Sequence, residues 1–377
     1  MIFGHLSINI STNQSKYRFV CRSYSSVRKL LVFHRHGDRA PFINIYESID
    51  ASKAAAEEQI WFQKMPDQHT LRRLDTLFPA KSEAEEEPKD LQHFPFGCLT
   101  ATGIDQLKDL GKSIRNHYGK DFTALKAMST NFARTQQSVQ SFLDGFTEGT
   151  GGVAVEIRGN KNDFLYPFES NRDKVFAAMK EVDQCPIFLA EDLSKRELRD
   201  KILAALPGLE NHMPLFWIHA TDYFSCHNAH NIEIPSELQE VEDATFEYLA
   251  WRYWYRSQNK KLLKLLAQPL MEEVYRQRNQ TVSNIEQGDK GENALHVYGV
   301  HDVTILAMLY ALGASEITSQ KGWWPPYASN LVFEIQESKD QSAGQKVTTN
   351  IFFNSQRLNL DHLLLEQHND DIVKEEF

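Results

Sequence analysis

The sequence has no long apolar run and few cysteines. A transmembrane helix needs about 18 to 20 consecutive apolar residues, and no stretch of the 377 residues approaches that length. The cysteines are Cys21, Cys98, Cys185 and Cys226, which lie far apart and form no C-x-x-C pair. This spacing argues against a disulfide scaffold and against a zinc site. We therefore expect a soluble or peripheral chain with no transmembrane segment and with buried thiols; a single bridge between Cys185 and Cys226 is the alternative.

The chain also lacks an excess of basic residues and several familiar catalytic motifs. Its net charge is −10, which argues against a nucleic-acid partner because such a partner requires a basic face. It contains no G-x-x-x-x-G-K-[ST] phosphate loop, no G-x-S-x-G nucleophile elbow and no H-E-x-x-H zinc helix. Hydrophobic residues make up 41% of the chain, enough for a substantial core.

Acidic residues are absent from the first 37 positions, whereas basic, Ser and Thr residues are frequent there. This composition is typical of an organellar transit peptide. Residues 22–26, R-S-Y-S-S, also resemble a mitochondrial processing site. We therefore expect residues 1–28 to form a transit peptide or a disordered tail, and we expect a mitochondrial location, with cytoplasmic or secreted proteins as the alternatives.

The most informative stretch is H-R-H-G-D-R-A-P at residues 34–41, which follows the apolar run 30–33. An apolar run that ends in charged residues, Gly and Pro indicates a buried strand that leads into a tight turn. Two other predicted strands also end in polar residues, with Arg134 after the strand at 125–128 and His301-Asp302 after the strand at 295–298. Planar guanidinium groups bind phosphoryl oxygens bidentately, so these strand ends predict an anion site.

The remaining chain divides by pattern. Helical spacing predicts helices at 50–63 and from residue 104, the second with Thr102 as its N-cap. Gly111 in the second helix indicates close packing against a neighbour. Residues 81–90 are expected to form an exposed charged loop. Residues 151–289 show few strand signals, and Pro269 should kink or split the helix at 261–278.

Two features of this helical region have more than one interpretation. The aromatic residues between positions 246 and 255 suit core packing, or a wall for an apolar substrate. The sequence C-H-N-A-H at 226–230 matches no common metal motif and is expected to be a loop. Strands are expected again at 331–335 and 348–353.

Residues 35–41 resemble the R-H-G-x-R-x-P signature of the histidine acid phosphatases, which form branch 2 of the histidine phosphatase superfamily. The L-T-x-x-G-x-x-Q stretch at 99–106, R-T at 134–135, H-D at 301–302 and P-P-Y-A at 325–328 follow in the order of that family. Residues 130–134, 165–167, 229–231 and 324–326 are similar to the lysophosphatidic acid phosphatase type 6 subgroup, which is mitochondrial.

The resemblance implies an α/β fold with a central mixed, mostly parallel sheet flanked by helices. Residues 29–150 and 290–377 would form the phosphatase core, and residues 151–289 a mainly helical cap. It also implies that His36 is the nucleophile, that Asp302 is the proton donor, and that no metal or other cofactor takes part. The residues it assigns to phosphate binding are Arg35, Arg39, Arg134 and His301.

The predicted activity is therefore the hydrolysis of small phosphomonoesters through a phosphohistidine. Lysophosphatidic acid is the substrate that the subgroup suggests, with monoacylglycerol and phosphate as the products. The alternatives are a phytase-like phosphatase that acts on inositol phosphates, and an inactive relative that binds phosphate or lipid. The sequence leaves the oligomeric state undetermined.

Overall fold

A computed structural model describes residues 27–82, 87–159, 163–213, 215–288, 293–338 and 347–360. Most of the predicted tail or transit peptide, together with Cys21, lies outside the described residues. Within them, eight strands form one sheet. The strands are β1 (Val27–Arg35), β2 (Ala80–Ser82), β3 (Ala124–Ser129), β4 (Val155–Ile157), β5 (Ala294–Val300), β6 (Asn330–Glu337), β7 (Val347–Phe353) and β8 (Gln356–Arg357).

The strand order is β2-β4-β3-β5-β1-β6-β7-β8. Neighbouring strands from β2 to β1 pair in parallel, and the pairs from β1 to β8 are antiparallel. This confirms the expected mixed, mostly parallel sheet. Because β3, β5 and β1 are parallel neighbours, their carboxyl ends lie at the same edge, where open α/β sheets bind ligands.

The helices of the described residues follow in chain order. They are α1 (Ala51–Phe62), α2 (Gln68–Leu77), α3 (Ala101–Tyr118), α4 (Ala133–Thr147), α5 (Pro167–Ser170), α6 (Arg172–Asp183), α7 (Pro186–Ser194), α8 (Arg196–Ala205), α9 (Phe216–Ala229), α10 (Ser236–Gln239), α11 (Glu242–Ser257), α12 (Lys260–Glu286), α13 (Asp302–Ala311) and α14 (Ser315–Thr318). Short 3-10 helices occupy Lys89–His93 and Pro207–His212. Helices α5 to α12 all lie between β4 and β5 in the chain.

Side chains of β1 alternate between two cores, as the pleat of a strand requires. Leu30 and Val32 contribute to a cluster with residues of α3 and α4, whereas Leu31 and Phe33 contribute to a second cluster with residues of α12 and α13. All four side chains are fully buried. Burial on both faces explains why the run is uniformly apolar.

Helix α3 packs closely on α4, as its glycine indicates. A Cβ atom on Gly111 would lie 2.0 Å from the carbonyl oxygen of Phe142, so only glycine allows this approach. The predicted cap of α3 is wrong by two residues: the hydroxyl of Thr100, not Thr102, accepts the backbone N–H of Gly103.

Two boundaries differ from the predictions in detail. Helix α12 continues through Pro269, so the split is wrong, while the kink stays a prediction. The segment 151–289 is mainly helical, and it also contains the short strand β4 of the sheet. Residues 27 and 28, expected in the tail, are the first two of β1. The division into a core and a cap stays a prediction.

Candidate active site

The carboxyl edge of the sheet brings together all six residues that the sequence analysis singled out. Arg35 ends β1, and His36 follows it. His301 is the N-cap of α13, directly after β5. The rings of His36 and His301 are 5.7 Å apart between centroids, and Arg35 Nη2 lies 2.8 Å from Asp302 Oδ2. Arg39 and Arg134 lie close enough for their charges to act on His36.

A hydrogen bond to the backbone holds His36 in one tautomer. Its Nδ1 atom lies 2.8 Å from the carbonyl oxygen of Gly37. A carbonyl oxygen only accepts hydrogen bonds, so Nδ1 carries the hydrogen and the neutral ring has its lone pair on Nε2. Burial and the neighbouring arginines, first Arg35 and then Arg134 and Arg39, lower the pKa of His36 well below 6.5. The ring therefore stays neutral in mildly acidic solution.

The turn after β1 fits tightly onto the start of α3. A Cβ atom on Gly37 would lie 2.4 Å from the carbonyl oxygen of Gly103, and one on Gly103 would lie 2.2 Å from that of Asp38. Backbone N–H groups of the turn donate to Ser138 Oγ at 3.0 Å and to Gln106 Oε1 at 2.8 Å. These contacts explain the glycine and glutamine of the 99–106 stretch: both position the turn that carries His36.

Each of the three arginines is fixed by a carboxylate and by an aromatic ring. The ion pairs are Arg35–Asp302 at 2.8 Å, Arg39–Asp222 at 2.7 Å and Arg134–Asp90 at 3.2 Å. Each guanidinium carbon also lies over an aromatic ring. The distances to the ring centroid are 4.3 Å for Arg35 over Tyr327, 3.5 Å for Arg39 over Phe42 and 4.3 Å for Arg134 over Phe132. The three guanidinium groups together form an arginine cradle, and these supports hold it in place before a ligand arrives.

The cradle has unused hydrogen-bond donors. The Nε atoms of Arg35, Arg39 and Arg134 are buried and have no hydrogen-bond partner among the described residues. Buried polar groups are normally paired, so three unpaired N–H groups indicate a site for an acceptor-rich ligand. A phosphoryl group has three terminal oxygens and suits this arrangement.

Asp302 is partly buried beside Arg35 and Trp324. Burial alone would raise the pKa of its carboxyl, but the Arg35 charge and the hydrogen bond from Trp324, with smaller effects of Arg39 and His301, together lower the pKa. His301 Nε2 lies 3.0 Å from Thr130 Oγ1. Burial, followed by the Arg134 charge, lowers the pKa of His301 well below its usual value.

Two carboxylates of the cradle were missed from sequence. Asp90 was expected in an exposed loop, and this is wrong: it is buried and accepts the backbone N–H groups of Ala133 and Arg134 at 2.6 and 2.9 Å. Asp222 lies on α9, 183 positions after Arg39, and also accepts the N–H of Phe42 at 2.7 Å. Neither aspartate stands in a motif, so the sequence contains no local signal for them.

The prediction of a loop at 226–230 is wrong in part, because helix α9 extends to residue 229. His230 Nε2 donates to Asp38 Oδ2 at 2.6 Å, in the turn that follows β1. Cys226 lies 3.2 Å from the hydroxyl of Tyr327. Cys98, Cys185 and Cys226 are free thiols, so the alternative of a Cys185–Cys226 bridge is wrong.

No group of three or more His, Cys, Asp or Glu side chains is placed to hold a metal ion in the part of the chain that the structure describes. Among the same residues, no helix combines the length and the apolar character that crossing a bilayer requires.

A mostly parallel α/β sheet whose carboxyl edge carries a buried neutral histidine among three arginines is the organisation of a histidine phosphatase. The sequence profile of the histidine phosphatase superfamily (branch 2) matches residues 26–349, and the chain belongs to this family. It is therefore a phosphomonoester hydrolase of the acid phosphatase type.

Named relatives and solved structures agree with this family. Lysophosphatidic acid phosphatase type 6 of Mus musculus is 24% identical over 86% of this chain and 79% of its own length. Human 2-phosphoxylose phosphatase 1 is 24% identical over 84% of this chain and 68% of its own length. The multiple inositol polyphosphate phosphatase of Bifidobacterium longum, in complex with inositol hexasulfate, superposes with a TM-score of 0.54 at 12% identity, covering 91% of this chain and 89% of the other. That likeness concerns the fold.

Proposed function

We propose that this phosphatase acts without a metal ion through a phosphohistidine on His36. In the first step, Nε2 of His36 attacks phosphorus and the bond to the ester oxygen breaks, while Asp302 gives that oxygen its proton. In the second step, Asp302 takes a proton from water as the water attacks the phosphohistidine, which releases phosphate and restores His36. Arg35, Arg39 and Arg134 neutralise charge on the equatorial oxygens, and the neutral His301 adds a further contact to the phosphoryl group.

The observation that carries this proposal is the buried His36 imidazole, with Nδ1–H donated to the Gly37 carbonyl and three arginines beside it. Hydrolysis of p-nitrophenyl phosphate in EDTA tests it, since activity should persist there and vanish in His36→Ala. Full activity of that variant would exclude His36 as the nucleophile. Rapid quenching with a ³²P-labelled substrate should trap an acid-labile phosphohistidine, which an inactive phosphate or lipid binder would not form.

Asp302→Asn separates the acid from the cradle. An alkyl phosphate has a poor leaving group and needs the proton, whereas p-nitrophenolate leaves readily without it. We expect the variant to slow glycerol phosphate hydrolysis far more than p-nitrophenyl phosphate hydrolysis. Equal slowing of both substrates would remove Asp302 from the acid role.

For the substrate, we propose lysophosphatidic acid. Support comes from the name of the mouse relative and from aromatic side chains on the acid side of the site. Trp324 hydrogen-bonds Asp302 and packs against Tyr253 of α11 with 4.9 Å between ring centroids. Such a surface suits an apolar leaving group better than a highly charged one.

A screen of lysophosphatidic acids with different acyl lengths, sugar phosphates and inositol phosphates tests the substrate. A rise of kcat/KM with acyl length would support the lipid, and indifference to acyl length would reject it. If an inositol phosphate has the highest kcat/KM, the phytase-like alternative is favoured. If a sugar phosphate has the highest kcat/KM, the activity resembles the one named for the human relative.

We also propose a mitochondrial location, which rests on the basic composition of residues 1–28. Fusion of these residues to a fluorescent protein should direct it to mitochondria. Diffuse cytoplasmic fluorescence or secretion would contradict the proposal.

A further inference from the structure

The carboxyl of Asp302 has three partners, two of them on its Oδ2 atom. Its Oδ2 atom accepts from Arg35 Nη2 at 2.8 Å and from Trp324 Nε1 at 3.1 Å. Its Oδ1 atom accepts the backbone N–H of Val303 at 2.8 Å. A carboxylate oxygen has two lone-pair positions, so Oδ2 has no place for a proton while Arg35 occupies one of them.

A bound phosphoryl group changes the partner of Arg35. The other amino group of Arg35 donates to the Pro325 carbonyl at 2.6 Å, and the guanidinium lies 4.3 Å from the Tyr327 ring centroid. These contacts keep the guanidinium plane in place, so Arg35 needs only to exchange one acceptor, from Asp302 to a phosphoryl oxygen. The lone pair that Arg35 leaves on Oδ2 then faces the ester and is where the proton for the leaving oxygen can bind.

After that exchange, the Val303 N–H still holds Oδ1, but Oδ2 keeps its position only if another donor holds it. We propose that Trp324 is a positioning residue for the acid: its indole N–H keeps the Asp302 carboxyl aimed at the leaving oxygen while Arg35 moves to the phosphoryl group. Trp324 is itself fixed by its edge contact with Tyr253 and by the two prolines that follow it. This inference rests on the proposed function, because it assigns a support to the acid of that mechanism.

The electrostatics of the site agree with this geometry. The Trp324 hydrogen bond stabilises the ionised form and, after burial and Arg35, is a main influence on the pKa of Asp302. Once Arg35 has turned away, the indole N–H still limits the rise of that pKa and keeps the acid strong enough to give up its proton. Loss of the N–H should therefore raise the pKa and release the carboxyl.

Two variants separate the N–H from the ring. Trp324→Phe keeps an aromatic ring and loses the donor. Trp324→Gln keeps a donor three bonds from Cβ, as in tryptophan, and loses the ring. Trp323→Phe is the matched control, since Trp323 packs against Phe353 with 5.7 Å between centroids and belongs to the core beneath β6 and β7.

We expect Trp324→Phe to move the alkaline limb of the kcat/KM profile upward by about 0.5 to 1 pH unit, the effect of one hydrogen bond to a charged group in a partly exposed site. Its kcat should fall about tenfold with glycerol phosphate and much less with p-nitrophenyl phosphate. Trp324→Gln and Trp323→Phe should keep the wild-type limb. If Trp324→Phe does not fold, the inference is tested with Trp324→Gln alone. An alkaline limb at the wild-type pH supports the inference, and a shifted alkaline limb overturns it.

Equal loss on both substrates in Trp324→Phe, with an unchanged limb, would show a packing role alone and overturn the inference. Trapping of the phosphohistidine separates this failure from that of the proposed function. A wild-type enzyme that forms no phosphohistidine contradicts the proposed function. If the wild-type enzyme forms the phosphohistidine, and Trp324→Phe has the same alkaline limb and the same kcat values as Trp323→Phe, only the role of Trp324 is contradicted.

Discussion

Replacement of Asp222 by asparagine tests whether the cradle depends on the helical segment between β4 and β5. Asp222 Oδ1 lies 2.7 Å from Arg39 Nη1, and the two side chains are 6% and 1% exposed. Burial alone would lower the pKa of Arg39, but Asp222, together with smaller effects of Tyr327, Cys226 and Asp302, raises that pKa. Arginine does not give up its proton in proteins, so Asp222→Asn leaves a buried cation without its counter-charge.

The expected loss of stability follows from this burial. Removal of one partner from a buried ion pair costs about 3 to 5 kcal/mol, and the amide oxygen of the substituted side chain still accepts one neutral hydrogen bond worth about 1 kcal/mol. We therefore expect the free energy of unfolding to fall by about 2 to 4 kcal/mol. Inorganic phosphate should restore part of it, because the anion supplies the missing counter-charge and binds only the folded state.

The measurement is urea unfolding with and without millimolar phosphate. Asp183→Asn is the control. Among the described residues, Asp183 forms an ion pair with Arg256 at 2.6 Å and has no contact with the three arginines of the cradle. That variant should lose some stability but gain no more from phosphate than the wild type does. The reasoning is refuted if Asp222→Asn is as stable as the wild type, or if phosphate stabilises all three proteins equally.

Three further predictions concern pH, packing and thiol chemistry. Because burial and the arginines lower the pKa of His36 well below 6.5, the imidazole stays neutral as the solution is acidified. The protonated fraction of Asp302, the proposed acid, increases at the same time, so kcat/KM for an alkyl phosphate should rise from about pH 7 to about pH 5; a fall over this range would contradict the assignment. Gly103→Ala should reduce kcat by at least about tenfold, because its Cβ would meet the Asp38 carbonyl at 2.2 Å and displace the catalytic turn; wild-type kcat would show that the turn adjusts. Iodoacetamide should alkylate Cys185, whose pKa is lowered by the Tyr255 hydroxyl and by the N–H groups of α7, before Cys226, whose pKa burial raises well above the usual value; peptide mass spectrometry would reveal the opposite order.

Much of the fold was readable from local patterns. The apolar run of β1 is buried on both faces, and the runs of β3, β5, β6 and β7 lie where alternation and apolar content predicted them. Helices α1 and α3 follow their spacing to within a few residues. The short strands β2, β4 and β8 escaped prediction because three residues or fewer contain too little periodicity to stand out.

Long-range packing outweighed one local expectation and part of another. Pro269 removes one backbone donor from α12, but neighbouring side chains of the helix, such as Leu270 and Val274, are buried in the core beside the sheet. This burial offsets the cost of the proline, so the helix is not split there. Asp90 stands at the end of an acidic run, and only the approach of the α4 N-terminus makes it a buried cap.

Most of the groups at the carboxyl edge of the sheet are encoded locally in the sequence. Arg35, His36 and Arg39 share one short turn, and His301 with Asp302 stands at a single helix start, so each group is specified by residues adjacent in the chain. Parallel strands then have to bring these groups together.

The supports of these groups depend on how distant elements pack together. They are Asp90, Asp222 and Trp324, which reach Arg134, Arg39 and Asp302 from separate parts of the chain. Their roles depend on which elements pack together. No local pattern records this, because a carboxylate or an indole becomes a support only when burial removes water and leaves it a single charged partner.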